Sequence, residues 1–372
     1  DLSEQKEVFE IRKAGLNILM SMKGDKKPVA FIEDCAVSLE HLADYTARLK
    51  EIFKKYGTSG MFYAHASVGT LHVRPVLNMK SDKDIENMRS ISEEAFEMVK
   101  DYKGSHSGEH GDGIVRSEFH EMMFGKKITN AFEEIKDTFD NKNLLNPGKI
   151  VRPFKSNDRS LMRYKSGYQA ENISTHYDWS NWGQFSDAVE MCNNNGACRK
   201  LDSGVMCPSY RVTKEEKDLV RGRANTLRLA LSNQLPEGSF ASKEMYETME
   251  LCVSCKACQR ECPMSVDIAK MKSEFLSHYY KKFSMRIKDR VISDMPRLIW
   301  LLKIVAPIFN KVKNLPLIST IVEKFGFATA RSMPEVQNQN ALREIYDSQT
   351  VSENKVILFA DCLLYTSDAA DE

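Results

Sequence analysis

Two short cysteine runs constrain this chain more than any other feature of its sequence. The run LCVSCKACQRECP holds Cys252, Cys255, Cys258 and Cys262, with a proline directly after the last cysteine. In such a Cys-x2-Cys-x2-Cys-x3-Cys-Pro run, three thiolates surround one iron–sulfur cluster, and the fourth turns to the other cluster of a two-cluster fold. Zinc motifs rarely show this spacing. The run therefore predicts an iron–sulfur domain in which Cys252, Cys255 and Cys258 require one further ligand.

The upstream run, MCNNNGACRKLDSGVMCP, is one cysteine short of the same pattern. Cys192 and Cys198 are separated by five residues, and Cys207 follows after eight more. A middle thiolate would stand at position 195, which is Asn195, and asparagine is a poor ligand for iron. Crossed pairing of the two Cys-Pro ligands assigns Cys207 to the downstream cluster and Cys262 to the upstream cluster.

The missing thiolate leaves two interpretations of the upstream run open. In the iron–sulfur subunit of succinate dehydrogenase, which this run resembles, a five-residue gap replaces the middle cysteine and the site holds a three-iron cluster. We therefore predict a [3Fe-4S] cluster, or an atypical [4Fe-4S] cluster with a non-cysteine ligand, at Cys192, Cys198 and Cys262. A standard [4Fe-4S] cluster is predicted for the other four cysteines. The alternative is that Cys192 and Cys198 only pack in a core.

Composition narrows the cellular setting and the partners. Seven of the nine cysteines lie in the two runs, which favours thiolate ligands in a reducing compartment. The net charge of +1, from 53 basic and 52 acidic residues, argues against a nucleic-acid partner. No signal peptide precedes residue 20, and no apolar run reaches the roughly 18–20 residues that span a bilayer. We expect a cytoplasmic protein; peripheral contact of residues 296–320 with the inner face of the membrane and a homo-oligomer are left open.

Helical and strand-like patterns divide the chain into segments. Residues 1–155 predict an α+β cap domain of ferredoxin-like type with a mixed or antiparallel sheet, in which PVAFIEDCAV, GMFYAHAS and TLHVRPVL are strands. Residues 156–184 predict a linker, 185–285 an all-α ferredoxin-type iron–sulfur domain, and 286–353 a helical connector. Residues 354–361 predict the first strand of a truncated C-terminal domain. Residues 362–372 resemble the read-through of a sequencing adapter.

Histidine and glutamate residues of the cap domain predict a metal site. His65 and His72 are seven residues apart, so neither one unbroken strand nor one helix lets both bind an ion. A chain reversal at Gly69 would bring them together. The glycine-rich loop SGEHGDG adds Glu109 and His110. Two histidines and a carboxylate with open positions are typical of a catalytic site for zinc or manganese, and His110 is placed to act as a base.

Four cap-domain motifs carry a specific resemblance. AFIEDCAV, HASVGTLHVRP, SGEHGDGIVRS and LLNPGKIV resemble the C-terminal half of the FAD-linked 2-hydroxy-acid dehydrogenases of the vanillyl-alcohol-oxidase superfamily, of D-2-hydroxyglutarate, D-lactate or glycolate type. The motifs MCNNNGACRK, MCPSYRVT, RGRANTLR and CVSCKACQRECP resemble the bacterial proteins that fuse such a flavoenzyme to an iron–sulfur module. The resemblance implies that His65, His72 and Glu109 are metal ligands and His110 is the base. It implies that the segment Asn146, Pro147, Gly148 and Lys149 packs against FAD.

The same resemblance implies a function and shows two departures. It implies oxidation of a small 2-hydroxy acid, with Arg74 binding the substrate carboxylate. Electrons would pass through the clusters to a quinone, an electron-transfer flavoprotein or a cysteine-rich domain. Many relatives have Gly-Asp-Gly-Asn between the two histidines, where this chain has the residues 66–70. The family's N-terminal FAD-binding domain is absent, so we expect the chain alone to be inactive. The alternative is a non-catalytic iron–sulfur electron-transfer subunit with a docking cap domain.

Several further residues receive a structural interpretation or none. Arg221, Arg223 and Arg228 of RGRANTLRLAL are interpreted as a solvated helix face. The alternative is a cationic helix beside anionic clusters, which would raise the reduction potential of the clusters. Cys35, alone in an apolar segment, is interpreted as a small core residue. The sequence assigns no partner to His106 or His120.

Overall fold

The computed structural model describes residues 1–330 and Val336. The chain divides into two compact units, Asp1–Tyr279 and Tyr280–Glu372. The predicted strand at 354–361 and the tail at 362–372 lie outside the described residues. The first unit contains both the sheet region and the cysteine runs, so the predicted boundaries at 155, 184 and 285 stay predictions.

The N-terminal part of the first unit joins one antiparallel sheet to helices. Its strands are β1 (Lys26–Pro28), β2 (Cys35–Ala36), β3 (Gly60–His65) and β4 (Thr70–Asn78). Its helices are α1 (Leu2–Met20), α2 (Leu42–Lys55), α3 (Asp82–Asp101), α4 (Gly113–Ser117), α5 (His120–Phe124) and α6 (Lys126–Phe139). Strand β4 pairs antiparallel with each of the other three strands. The mixed α and β content and the antiparallel sheet agree with the sequence, whereas the ferredoxin-like arrangement stays a prediction.

One predicted strand is wrong over most of its length. Of PVAFIEDCAV, only Pro28 in β1 and the two residues of β2 are extended and paired. Between them, Glu33 and Asp34 are buried, and Asp34 has a φ of +82°. A left-handed residue breaks the regular pleat. The apolar run therefore supplies two short strands and a buried acidic turn.

Periodic apolar faces build the core behind the sheet. Tyr45, Leu49 and Phe53 are buried at four-residue intervals along α2, which places them on one face of that helix. They pack with Ile91 and Phe96 of α3 in one buried cluster, which also includes residues of β4. Cys35 is fully buried in the same cluster, which confirms its interpretation as a core residue.

The cysteine runs lie in a helical region with a separate core. Its helices are α7 (Phe185–Glu190), α8 (Pro208–Thr213), α9 (Val220–Leu231), α10 (Lys243–Glu250), α11 (Ala257–Glu261) and α12 (Ile268–Lys282). Residues 185–285 are all described and contain no strand, as the sequence predicts. Cys207 immediately precedes the proline that starts α8, a position where the missing N–H of proline costs nothing. In the predicted linker, Trp179 is buried in this core.

The described part of the second unit is helical, in agreement with the predicted connector. It contains α13 (Ile287–Val312) and α14 (Pro316–Lys324). Over residues 1–330, no helix is both long and apolar enough to cross a membrane.

Candidate metal site and iron–sulfur centres

A tight reversal at Gly69 brings the two predicted histidines together. Strands β3 and β4 pair antiparallel with Tyr63 opposite His72. Gly69 has a φ of +71°, and a Cβ at this position would lie 1.9 Å from the carbonyl oxygen of Val37. Only glycine fits such a turn without strain. The ring centroids of His65 and His72 are 5.0 Å apart, as the predicted reversal requires.

Glu109 completes a group of three ligands with these histidines. Its Oε1 lies 3.4 Å from Nε2 of His65 and 3.6 Å from Nε2 of His72. His72 is buried, whereas the side chains of His65 and Glu109 are each 44 % exposed. The site is therefore open to solvent on one side. Two imidazoles and a carboxylate with an open side fit a divalent ion that binds a further ligand.

A buried carboxylate that the sequence analysis missed holds the loop carrying Glu109 and His110. Asp34 is 0 % exposed. Its Oδ2 accepts hydrogen bonds from the backbone N–H groups of Gly108 at 2.9 Å, Glu109 at 2.9 Å and His110 at 2.7 Å. Arg116 places its guanidinium 3.5 Å from the same oxygen. Acidic residues inside an apolar run are rarely buried without partners, so the pair in AFIEDCAV was the available signal.

A second missed carboxylate, Glu33, lies on the opposite side of His72, beyond hydrogen-bond distance of its Nδ1. Its Oε1 lies 3.6 Å from Nδ1 of His72, while Nε2 of the same ring faces Glu109. The Tyr63 hydroxyl donates a 2.7 Å hydrogen bond to Glu33. Burial lowers the pKa of His72, which favours the neutral ring that binds metals. A carboxylate on one nitrogen and a metal on the other is the usual arrangement around a ligating histidine.

Arg74, the predicted partner of the substrate carboxylate, is already engaged. Its Nη2 lies 2.9 Å and 2.8 Å from the two carboxylate oxygens of Glu33. The remaining Nη1 contacts only the sulfur of Met20, at 3.7 Å, and Nε is buried without a partner. Nη1 therefore keeps donors that a second carboxylate can use.

His110 lies beside the ligand group and is accessible. Its ring stacks on His72 with centroids 5.2 Å apart and an interplanar angle of 22°. The side chain is 46 % exposed, and Nδ1 lies 4.0 Å from the carboxylate of Asp34. One ring nitrogen thus faces a buried acid while the ring remains within reach of solvent. This is the arrangement that a proton-transferring histidine requires.

Four cysteines of the downstream set line one common cavity. Cys207, Cys252, Cys255 and Cys258 all border it, together with Arg223. Over the described residues, no group of three ligand atoms within 4.8 Å of one another includes a cysteine. The four cysteines therefore surround one common space.

The upstream cysteines also lie together, with Cys262 among them. Burial raises the pKa of the Cys192 thiol and of the Cys198 thiol, and in both cases the charge of Cys262 adds to the rise. Cys262 therefore neighbours both upstream thiols, as crossed pairing of the two runs requires.

Asn195 does not take the place of the missing thiolate. Its Oδ1 accepts a 2.8 Å hydrogen bond from the backbone of Ala197, and its Nδ2 donates a 2.6 Å hydrogen bond to Asn193. Both polar groups are thus used within the loop. The neighbouring Asn194 lies closer to the thiols, with its Oδ1 3.7 Å from Sγ of Cys192.

The interpretation of Arg223 and Arg228 as a solvated helix face is wrong. Arg223 is 0 % exposed and Arg228 is buried. Arg223 donates to the carbonyl oxygens of Asp218 at 2.7 Å and Thr248 at 2.9 Å, and lies 3.6 Å from Sγ of Cys207. A buried cation beside a thiolate ligand stabilises negative charge on the cluster that the thiolate holds.

A cavity of about 390 Å³ lies between the sheet and the upstream cysteine run. Arg74 and Met79 border it on the side of the sheet. Met191 and Asn193, which flank Cys192, border it on the side of the upstream cysteines. Arg74 therefore faces a space that reaches the residues on either side of Cys192.

The segment predicted to pack against FAD lies next to exposed apolar side chains. Asn146 and Gly148 both have positive φ angles, and the loop is exposed except at Gly148. Beside it, Phe139 is 84 % exposed and Leu144 is 73 % exposed. A groove with a volume of about 670 Å³, bordered by Asn146 and Lys149, runs along this face. An open apolar face of this kind fits as one wall of a flavin site completed by another domain.

Comparison with known protein families gives two matches. Residues 1–150 match the model for FAD linked oxidases, C-terminal domain, and residues 188–266 match the model for the 4Fe-4S dicluster domain. The chain joins an FAD-linked oxidase C-terminal domain to a 4Fe-4S dicluster domain. This confirms the resemblance that the cap-domain and cysteine motifs indicated.

The chain is similar to proteins named as dehydrogenases or oxidases of hydroxy acids. The chain is 29% identical to the D-2-hydroxyglutarate dehydrogenase of Escherichia coli strain K12, over 91% of this chain and 37% of the relative. It is 30% identical to the enzyme of the same name from Pantoea ananatis, over 79% of this chain and 32% of the relative. Similarity to the glycolate oxidase subunit GlcD of Bacillus subtilis is 30% identity over 38% of this chain and 29% of the relative. The chain thus spans about a third of the length of these relatives.

Proposed function

We propose that this chain forms the substrate and metal domain, with its iron–sulfur module, of an FAD-dependent dehydrogenase that oxidises a 2-hydroxy acid to a 2-oxo acid. The observation that carries the proposal is the convergence of His65, His72 and Glu109, with His110 stacked beside them. The names of the relatives support the reaction class.

His65, His72 and Glu109 would hold a divalent ion, zinc or manganese. When bound, this ion acts as a Lewis acid that lowers the pKa of a coordinated substrate hydroxyl. His110, half exposed and stacked on His72, takes the hydroxyl proton and releases it to solvent. Asp34 positions that base because it binds the backbone N–H of His110.

Arg74 would bind the substrate carboxylate while it remains paired with Glu33. Its Nη1 is not used by Glu33 and is the nitrogen that would donate to the substrate. Glu33 neutralises the buried arginine when no substrate is bound, and it keeps the guanidinium in a fixed orientation. Arg74 also borders the cavity that reaches the residues around Cys192.

FAD would supply the acceptor for the hydride that leaves C2 of the substrate, and the clusters would supply one-electron carriers for the electrons that leave the flavin. The segment from Asn146 to Lys149 would contact FAD. Cys207, Cys252, Cys255 and Cys258 would hold a [4Fe-4S] cluster. Cys192, Cys198 and Cys262 would hold a [3Fe-4S] or atypical [4Fe-4S] cluster. A quinone, an electron-transfer flavoprotein or a cysteine-rich domain is the proposed acceptor.

D-2-hydroxyglutarate is the first substrate to test, because the relatives that cover most of the chain carry that name. D-Lactate and glycolate share the reacting end of the molecule and form the comparison panel. The gene encoding this chain should be expressed with its natural flanking sequence, and dye reduction should be measured with D and L enantiomers of each acid.

Replacement of His110 by alanine tests the proposed base. We expect a loss of about 10²–10⁴-fold in kcat, the usual contribution of a general base, with metal content unchanged. His176→Ala, at an exposed histidine outside the site, is the matched control. Near-normal turnover of the His110→Ala enzyme would remove His110 from the mechanism.

The pairing of Arg74 with Glu33 is the observation that favours the alternative function, an electron-transfer subunit with an inactive cap domain. Turnover of the acid panel distinguishes the two functions. An inactive cap domain would turn over no member of the acid panel, even though chemical reductants would still reduce the clusters.

A further inference from the structure

A second group of potential metal ligands lies outside the site described above. His106, Asp112 and His120 each offer a ligand atom, and these atoms lie within 4.8 Å of one another. Asp112 Oδ2 is 3.0 Å from Nε2 of His120, and Asp112 Oδ1 is 3.9 Å from Nε2 of His106. The two oxygens of one carboxylate thus each face one histidine.

The polar atoms of this group lack hydrogen-bond partners among the described residues. His106 is 0 % exposed and His120 is 3 % exposed, and both nitrogens of both rings are buried without an aligned partner. Asp112 Oδ1 is also buried and unpartnered. A buried polar group without a partner costs roughly 1–3 kcal/mol, so a cluster of several such atoms calls for a ligand.

Aromatic rings enclose the two histidines and hold them in place. Phe96 and Phe124 pack against His106 with ring centroids 5.3 Å and 5.6 Å away. Phe124 also packs against His120, at 5.5 Å. Burial among these rings lowers the pKa of His106 to about 4. The ring of His106 is therefore neutral at physiological pH, which is the form that binds metals.

We propose that His106, Asp112 and His120 form a second divalent-metal site and that this site binds Zn²⁺. Imidazole nitrogens and one carboxylate are ligands that zinc prefers, and the separations of 3.0 Å and 3.9 Å match those between neighbouring ligands at about 2.0–2.2 Å from one ion. The guanidinium of Arg116 lies 3.8 Å from Asp112 Oδ1, but its charge is offset by Asp34.

This second site would fix the loop that carries the first. Asp112 follows Glu109 and His110 in the segment EHGDG. It stands at the N-cap of α4, yet its side chain makes no capping hydrogen bond and turns to the histidines. Asp34 binds the start of the loop through three N–H groups, and the second metal would bind its end. The role is structural and does not depend on the proposed dehydrogenase activity.

Zinc stoichiometry of the complete chain tests the second site. The chain is purified anaerobically, iron is measured to confirm equal cluster content, and Zn²⁺ binding is measured by equilibrium dialysis. We expect two zinc equivalents in the unmodified chain. Asp112→Asn and His120→Gln should each lose the zinc of the second site and retain one equivalent, at His65, His72 and Glu109. The double variant His65→Gln, His72→Gln should also retain one equivalent, at the second site. His176→Gln, at an exposed histidine, should retain both.

The outcomes separate the two sites. Loss of zinc from the His65 and His72 double variant alone, with Asp112→Asn and His120→Gln unchanged, would overturn the second site. Loss of zinc from Asp112→Asn and His120→Gln alone would support the second site. It would also show that the proposed catalytic site binds no zinc. Asp112→Asn preserves the shape of the side chain, and circular dichroism checks that each variant is folded.

Discussion

Asp34 shows how much of this site depends on one buried side chain. It accepts three backbone N–H groups of the loop that carries Glu109 and His110, and no regular secondary structure fixes that loop. Glu33, the preceding residue, pairs with Arg74 and faces His72. The two acids thus position both halves of the candidate metal site.

Replacing Asp34 by alanine should lower the stability of the chain strongly. The N–H groups of Glu109 and His110 would lose their acceptor and the buried Arg116 would lose its counter-charge, so we expect a loss of about 3–5 kcal/mol in the free energy of unfolding. Asp34→Asn retains one acceptor oxygen and should lose about 1–3 kcal/mol. Denaturant unfolding measures both, with Asp202→Ala at an exposed position as control. Equal stability of all three variants would show that the carboxylate does not hold the loop.

Cysteine spacing alone predicts crossed ligation of two clusters, and that ligation stays a prediction. The structure places Cys207 and the downstream cysteines along one cavity. Arg223 was misread because charged residues on helices are usually exposed, and burial beside a cluster leaves no trace in a single sequence. His106 and His120 were not paired because their contact depends on how the segment after the glycine-rich loop folds.

At the scale of elements, the reversal between β3 and β4 creates the site. Because His65 and His72 are seven residues apart, they can bind one ion only if the chain reverses between them. Gly69 indicated where that reversal lies. The apolar run before β2 was misread as one strand, because buried acidic residues can occupy an irregular turn when backbone N–H groups satisfy them. Periodicity reports which residues are buried more reliably than it reports backbone geometry.

Alanine at Gly69 should disrupt the metal site more than alanine at Gly57. Both glycines have positive φ, +71° and +67°, so each substitution costs about 1–2 kcal/mol of backbone strain. At Gly57 nothing lies within 4 Å of the new Cβ, whereas at Gly69 the carbonyl oxygen of Val37 lies at 1.9 Å. Zinc binding at His65 and His72 should be lost only in Gly69→Ala. Equal zinc affinity in both variants would contradict the role of this turn.

Glu118, between α4 and α5, should contribute to the stability of the folded chain in a pH-dependent way. Burial alone would raise its pKa, but hydrogen bonds from Arg89, Lys155 and Ser156 outweigh burial and hold the pKa at about 2. Because the folded pKa lies below the unfolded value of about 4.3, the stabilisation is full above that pH and is lost as the pH falls toward 2.

The variant Glu118→Gln should therefore be less stable than the unmodified chain by about 1–2 kcal/mol at pH 7. The difference should narrow as the pH falls below 4.3. Urea unfolding at several pH values measures it, with Glu121→Gln at an exposed position as control. A difference that stays constant from pH 7 to pH 3 would show that the charge of Glu118 does not contribute.

At the scale of the whole molecule, the cap domain and the iron–sulfur region form one compact unit with a shared cavity. Arg74 borders that cavity on one side, and the residues that flank Cys192 border it on the other. Sequence motifs identified both regions but gave no information on how they pack, since packing between distant segments leaves no periodic signal.

Reduction of the clusters by substrate tests this account most directly. The gene product, expressed with its natural flanking sequence, is mixed anaerobically with D-2-hydroxyglutarate, and its iron–sulfur clusters are followed by electron paramagnetic resonance. The account predicts that substrate reduces the clusters in the unmodified protein and that His110→Ala slows this reduction about 10²–10⁴-fold. Clusters that dithionite reduces but that no 2-hydroxy acid of the panel reduces would contradict it.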